Sequence, residues 1–117
     1  MIVAGFGFSS RATQASLNDA LARARGEWRL DALATLADKS AALLPLAQEH
    51  GLVVIAIDGP LPETPTQSTR SLSERGAGSV AEACALAAVG HGGYLRQTRV
   101  TSTDRLATCA IAQGGLE

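Results

Sequence analysis

Aromatic side chains are scarce in this chain of 117 residues: 3% of the composition, one Trp, one Tyr and two Phe. Its core must therefore be aliphatic, built on Ala, Leu, Val and Ile. Cysteine is nearly absent. Cys84 and Cys109 each sit inside an apolar stretch ("EACALAAV" and "ATCAIA"), which reads as two buried, reduced thiols rather than a disulfide framework. A metal pair would need further ligands at suitable spacing, and His50 and His91 instead stand beside Gly51 and Gly92 in helix-ending contexts. Neither a metal nor a cofactor is expected. An excess of one charge is also missing: 10 basic against 11 acidic residues give a net charge of −1 and a pI near 6.1. That removes any general attraction to nucleic acid or to an acidic membrane, so neither is expected as a partner. No apolar run approaches the roughly 18 residues needed to cross a bilayer. The opening "MIVAGFGFSSR" has no basic n-region and no long apolar core, so no signal peptide is expected and the cytoplasm is the expected location.

What is present is an alternation of strand-like and helix-like segments. "IVAGFGF" (2–8) is a short apolar strand whose glycines allow a backbone or ligand to come close. Thr13 can cap a helix carrying Leu17, Ala20, Leu21 and Ala24 at helical spacing, stopped by Gly26. "ALAT" (32–35) reads as a buried strand, and a short helix begins near Pro45 and ends at Gly51. "LVVIAI" (52–57) is the clearest strand. From Asp58 to Gly78, with Pro60, Pro62 and Pro65 and many Ser and Thr, there is no periodicity. So long a loop predicts a functional lid or disorder. "SVAE" (79–82), ahead of an apolar run, is a capping-box pattern. It predicts the Ser79 oxygen accepting from the Glu82 N–H, and the Glu82 side chain reaching back to the Ser79 N–H. "YLRQTRV" and "RLATCAIA" flank "TSTD" as an antiparallel hairpin. The chain is expected to form a single domain, 1–117: a three-layer α/β/α sandwich on a mixed sheet of about five strands, the last antiparallel.

This topology sends several polar groups to one place. Ligands of parallel α/β sheets bind at the carboxyl ends of the strands. There the first strand delivers Ser9, Ser10 and Arg11, and the second delivers Asp38 and Lys39. The third opens the loop with Asp58, Arg70 and Arg75, and the helix starting at Ser79 begins at the same edge. The hairpin turn at Thr101, Ser102 and Thr103, with Arg99 and Arg105, belongs there too. The expectation is an anion site: a helix N-terminus, several hydroxyls and clustered cations on a nearly neutral chain. A nucleotide-binding domain is the weaker alternative. "GFGFSS" lacks the third glycine of G-x-G-x-x-G, and "GAGSVAEA" lacks the Lys-Ser/Thr pair of a P-loop.

"GFGFSSRAT", "ATLADK", "GAGSVAEACALAA" and the closing hairpin, in this order and spacing, resemble the CobE / CbiG C-terminal domain family of cobalamin biosynthesis. The resemblance spans residues 2 to 112, and the short chain looks more like stand-alone CobE than full-length CbiG. It implies a mixed α/β/α fold and a role with a precorrin or corrin intermediate, a polycarboxylate tetrapyrrole, as carrier or as accessory to another cobalamin-pathway enzyme. The alternative that the family implies is a hydrolase acting on that intermediate, by CbiG-like lactone opening. Lys39 would then stabilise charge, and Asp58 or Glu63 would transfer protons. Carried over by position, the family's basic residue after the first strand falls on Arg11, its lysine after the second on Lys39, and its "S-V-A-E" on Ser79 and Glu82. The family often has a cysteine and an arginine where Phe8 and Ser9 stand here, which argues against a thiol role at that point. The resulting binding set is Arg11, Lys39, Ser10, Arg70, Arg75 and Ser79, with Ser79 and Glu82 also capping their helix.

Overall fold

The computed structural model describes residues 1–59, 61 and 79–114. Five strands form one mixed sheet: β1 (Ile2–Phe8), β2 (Ala32–Leu36), β3 (Val53–Ile57), β4 (Tyr94–Thr101) and β5 (Ala107–Gln113). Their order across the sheet is β3-β2-β1-β5-β4. β1, β2 and β3 are parallel, and β5 runs antiparallel to both β1 and β4. The last strand thus lies inside the sheet, between the first strand and its own hairpin partner.

Helices α1 (Gln14–Arg25) and α2 (Leu44–His50) cover one face, and α3 (Val80–Val89) covers the other. The α1/α2 face holds the larger side chains, among them Phe6, Leu21, Leu33, Leu43, Leu46 and Ile111. Val3, Ala32, Ala34 and Cys84 fill the α3 face. Cys109 belongs to the first face, so the two thiols are separated by the sheet. Burial alone pushes the Cys109 thiol pKa upward, which keeps it protonated and inert.

The helix ends follow from local chemistry. At the start of α1, Thr13 Oγ1 accepts from the Ser16 N–H at 3.2 Å, and Ser16 Oγ accepts from the Thr13 N–H at 3.0 Å. Both orphan donors are therefore satisfied. α2 carries Pro45 in its first turn, where a missing N–H costs nothing, and ends on Gly51 with φ 68°. A 3-10 stretch, Ala37–Leu43, precedes it.

Gly5 and Gly7 explain "GFGF". A Cβ on Gly5 would lie 2.2 Å from the Ala81 carbonyl oxygen and 2.5 Å from the Ala85 nitrogen. A Cβ on Gly7 would meet Val80 Cβ at 3.2 Å. The backbone that comes close is helix α3, whose inner face is Ala81, Ala83, Cys84 and Ala85. Small residues on both partners let helix and strand approach. The G-x-G is thus a packing device within the sheet. It also fixes the direction of α3, which starts over Gly7 at the carboxyl end of β1 and runs back across Gly5.

Candidate functional site

The carboxyl edge gathers the residues that follow β1, β2 and β3, the N-terminus of α3 and the β4–β5 turn. Pairing of Phe8 with Ala107 and of Thr101 with Thr108 places the hairpin turn there, because β4 is parallel to β1.

Lys39 is the cation best fixed on this edge. Its ammonium donates to the Phe8 carbonyl oxygen and stands 5.0 Å from the Phe8 ring centroid. The half-buried lysine therefore bridges the ends of β1 and β2. Beside it, Ser9 Oγ accepts from the Arg11 N–H at 2.9 Å, closing a tight turn with Ser10 and Arg11 exposed. Asp38 and Asp58 are exposed at the same edge, where Asp58 Oδ1 accepts from the Gly59 N–H at 3.1 Å. Among the described residues the edge is electrostatically mixed, so no uniform field of one sign marks it. Arg70, Arg75 and Glu63, and most of the loop read as a lid, lie outside the described residues.

Ser79 is buried and caps α3, its Oγ accepting from the Glu82 N–H at 3.3 Å. Glu82 also makes a contact that the sequence pattern does not contain. Glu82 is fully buried, and its Oε2 accepts from the Arg99 N–H of β4 at 2.8 Å. Its carboxylate ties helix to sheet.

The hairpin turn uses its hydroxyls internally. Asp104 accepts from Ser102 Oγ at 2.6 Å, from Ser16 Oγ at 2.5 Å and from the Leu106 N–H at 3.0 Å. These bonds, that from Ser102 foremost, hold its carboxyl below the usual carboxylate pKa. Asp19 accepts from the Thr103 N–H at 2.6 Å and pairs with Arg23, whose guanidinium donates to Thr103 Oγ1 at 2.7 Å. Its pKa is lowered as well, chiefly by the Thr103 N–H. Ser102 and Thr103 therefore serve the joint between α1 and the hairpin, not a ligand. Sequence reasoning missed this joint. The signal available was Asp104 two residues after Ser102, the spacing at which an acidic residue and a hydroxyl share a turn.

His50 Nε2 lies 3.3 Å from Asn18 Oδ1, and His91 is exposed beyond α3. Among the described residues, no three His, Cys, Asp or Glu side chains gather as metal ligands. Nor is any helix there long and apolar enough to cross a membrane.

The family model for the cobalamin synthesis G C-terminus matches residues 2–112. The chain belongs to this family. Its fold is similar to that of CobE, a protein from the cobalamin (vitamin B12) biosynthetic pathway, with 29% identity and a TM-score of 0.77 over 96% of this chain and 89% of that one. It is also similar in fold to cobalamin biosynthesis protein chiG from Agrobacterium tumefaciens, with 24% identity and a TM-score of 0.70 over 99% and 100% of the two chains. Among curated proteins none matches the chain. The resemblance read from "GFGFSSRAT", "ATLADK" and "GAGSVAEACALAA" thus names the family correctly, and the chain is a cobalamin-biosynthesis protein of the CobE/CbiG C-terminal type.

Proposed function

We propose that this CobE/CbiG-type protein binds a polycarboxylate precorrin or corrin intermediate at the carboxyl edge of its sheet. It acts there in the cytoplasm, as a carrier or as an accessory to another enzyme of the pathway. The observation that carries this reading is Lys39. Its ammonium is held against the Phe8 carbonyl at the strand ends, one turn away from Ser10 and Arg11. Corrin intermediates present acetate and propionate carboxylates around a broad ring. A lysine fixed in place and an arginine able to fork onto a carboxylate suit such a periphery. Ser79 supports α3 from below, and Arg70 and Arg75 complete the set proposed from the sequence.

The test is a titration with a corrin polycarboxylate made by hydrolysing the amides of cyanocobalamin, with intact cyanocobalamin as the neutral comparison. A hydrogen bond to a charged group contributes roughly 1.5–3 kcal/mol. Arg11→Ala and Lys39→Ala should therefore each weaken binding about 10- to 150-fold, whereas Arg29→Ala, an exposed site on the opposite edge, should leave it unchanged. Cyanocobalamin should bind far more weakly, and rising salt should release the acid. Wild-type binding that ignores amide against acid would sink the reading. Mass spectrometry of the incubated intermediate separates binding from hydrolysis.

A further inference from the structure

The register of β4 against β5 is broken twice. Leu95 faces Ala112 and Gln97 faces Ile111, then Val100 faces Cys109, so each step inserts one extra residue into β4. The second irregularity contains Thr98 and Arg99. Val100 packs with the α1-side core, as do Cys109 and Ile111 opposite. Thr98 and Arg99 are therefore turned together toward the α3 side, as the two residues of a bulge are. At this point the Arg99 N–H, released from the regular ladder, is taken by Oε2 of Glu82 at 2.8 Å. Glu82 itself is fully enclosed in the first turn of α3, where the helix dipole favours a carboxylate.

A buried carboxylate that accepts from a bulged backbone fixes which way that bulge points. Without it the Arg99 N–H would be left to find another acceptor, and the bulge could migrate along β4. The alternative, a regular strand, would turn Arg99 to the α1 side or away from the edge. The bulge lies two residues before the end of β4, on the same edge as Lys39 and the start of α3.

We infer that Glu82 is a positioning residue that, through its bond to the Arg99 backbone, aims the Arg99 side chain at the carboxyl edge, where the guanidinium takes a ligand carboxylate. This rests on the proposed tetrapyrrole site and extends it to a residue from the opposite half of the sheet. Lys39 comes from the β1–β2 side and Arg99 from β4, so together they grip two well-separated acidic groups of one ligand.

Four variants test this with the same corrin polycarboxylate. Arg99→Ala keeps the backbone N–H, and so the Glu82 bond, and should weaken binding at least tenfold with the melting temperature little changed. Glu82→Ala should weaken binding about as much. Glu82→Gln keeps an acceptor oxygen of the same reach and should stay within about threefold of wild type. The double variant Glu82→Ala/Arg99→Ala should bind no more weakly than Arg99→Ala alone, since Glu82 acts through Arg99. Ile111→Val or Ile111→Ala, whichever matches the melting temperature of Glu82→Ala, should bind as wild type and so separates positioning from lost stability. The Arg99 amide resonance reports the link without any ligand: it should be protected from exchange in wild type and Glu82→Gln, and exposed in Glu82→Ala. Arg99→Ala binding within twofold of wild type, while Lys39→Ala binds weakly, would overturn the inference and leave the proposed site standing. Fully additive losses in the double variant would overturn the positioning role. Absence of wild-type binding would remove the site and this inference together.

Discussion

Gly5 shows how one missing methyl group can set the geometry of a whole layer. An added Cβ there would strike backbone atoms of α3 at 2.2 and 2.5 Å, and backbone cannot swing aside as a side-chain end can. Gly5→Ala should cost about 3 kcal/mol or more through forced separation of helix and strand. Gly7 sits in looser surroundings, its nearest neighbour being Thr108 Oγ1 at 3.1 Å. There the entropy recovered in a strand, about 0.5–1 kcal/mol, offsets the strain, and Gly7→Ala should stay within about 1 kcal/mol of wild type. Denaturant midpoints of the two variants give the comparison, and equal losses would mean that α3 does not seat on Gly5. Ser79 is also decided at this scale. Ser79→Ala removes a cap worth about 1 kcal/mol, with only a modest effect on ligand affinity. A several-hundredfold loss of affinity at unchanged stability would instead make Ser79 a ligand contact.

The joint between α1 and the β4–β5 hairpin is built from two carboxylates and three hydroxyls, and its behaviour with pH follows. Asp19 and Asp104 both have folded pKa values depressed by accepted hydrogen bonds. A depressed carboxylate lends stability above its unfolded value, near 3.9. That contribution is lost as pH falls through about 4 toward the folded pKa. Protection factors of the 101–106 turn amides, each rate taken relative to the intrinsic rate at the same pH, should therefore fall below about pH 4, and Asp19→Asn/Asp104→Asn should flatten that acid dependence. Protection factors that do not change with pH in wild type would refute the joint. Asp104 is exposed and Asp19 only half-buried, so salt should reduce the effect. Elements of this kind divide sharply in how far they can be read from sequence. Thr13, Gly26, Gly51 and Ser79 mark helix ends by short-range chemistry, and each stands at a helix end in the structure. β3 and the hairpin are legible for the same reason. The 3-10 turn at Ala37–Leu43 is not, since its residues carry no periodic signal distinct from the short helix behind it. Nor is the contact between Glu82 and β4. Capping and sheet-binding are both open to a glutamate at that position, and only the fold brings the Arg99 N–H within reach.

Across the whole molecule, the carboxyl edge was legible as a place because parallel strands send their following residues to one side. Its composition was not. Lys39 is held as a bridge between strand ends, whereas Ser102 and Thr103 are diverted to α1 by contacts spanning some eighty residues of sequence. Such long-range pairs leave no local pattern. Removing the sheet-spanning contact of Thr35, whose Oγ1 donates to the Phe6 carbonyl at 2.9 Å, tests the rigidity of the same edge. Thr35→Val leaves that buried carbonyl one donor short and should cost about 1–3 kcal/mol, read from thermal unfolding. An unchanged melting temperature would show that β1 and β2 need no tie beyond their ladder. The position of β5 has a different consequence, one of timing. The strand that fills the gap between β1 and β4 is the latest of the five to be made, and it carries Cys109 and Ile111 into the larger core. On the ribosome, β1, β2 and β3 can pair early, but β1 keeps an open edge and half its core face bare until residue 113 emerges from the exit tunnel. Native assembly must therefore wait for β5, and a nascent chain arrested after β4 should be cleaved by protease while a chain that includes β5 and has left the ribosome resists it.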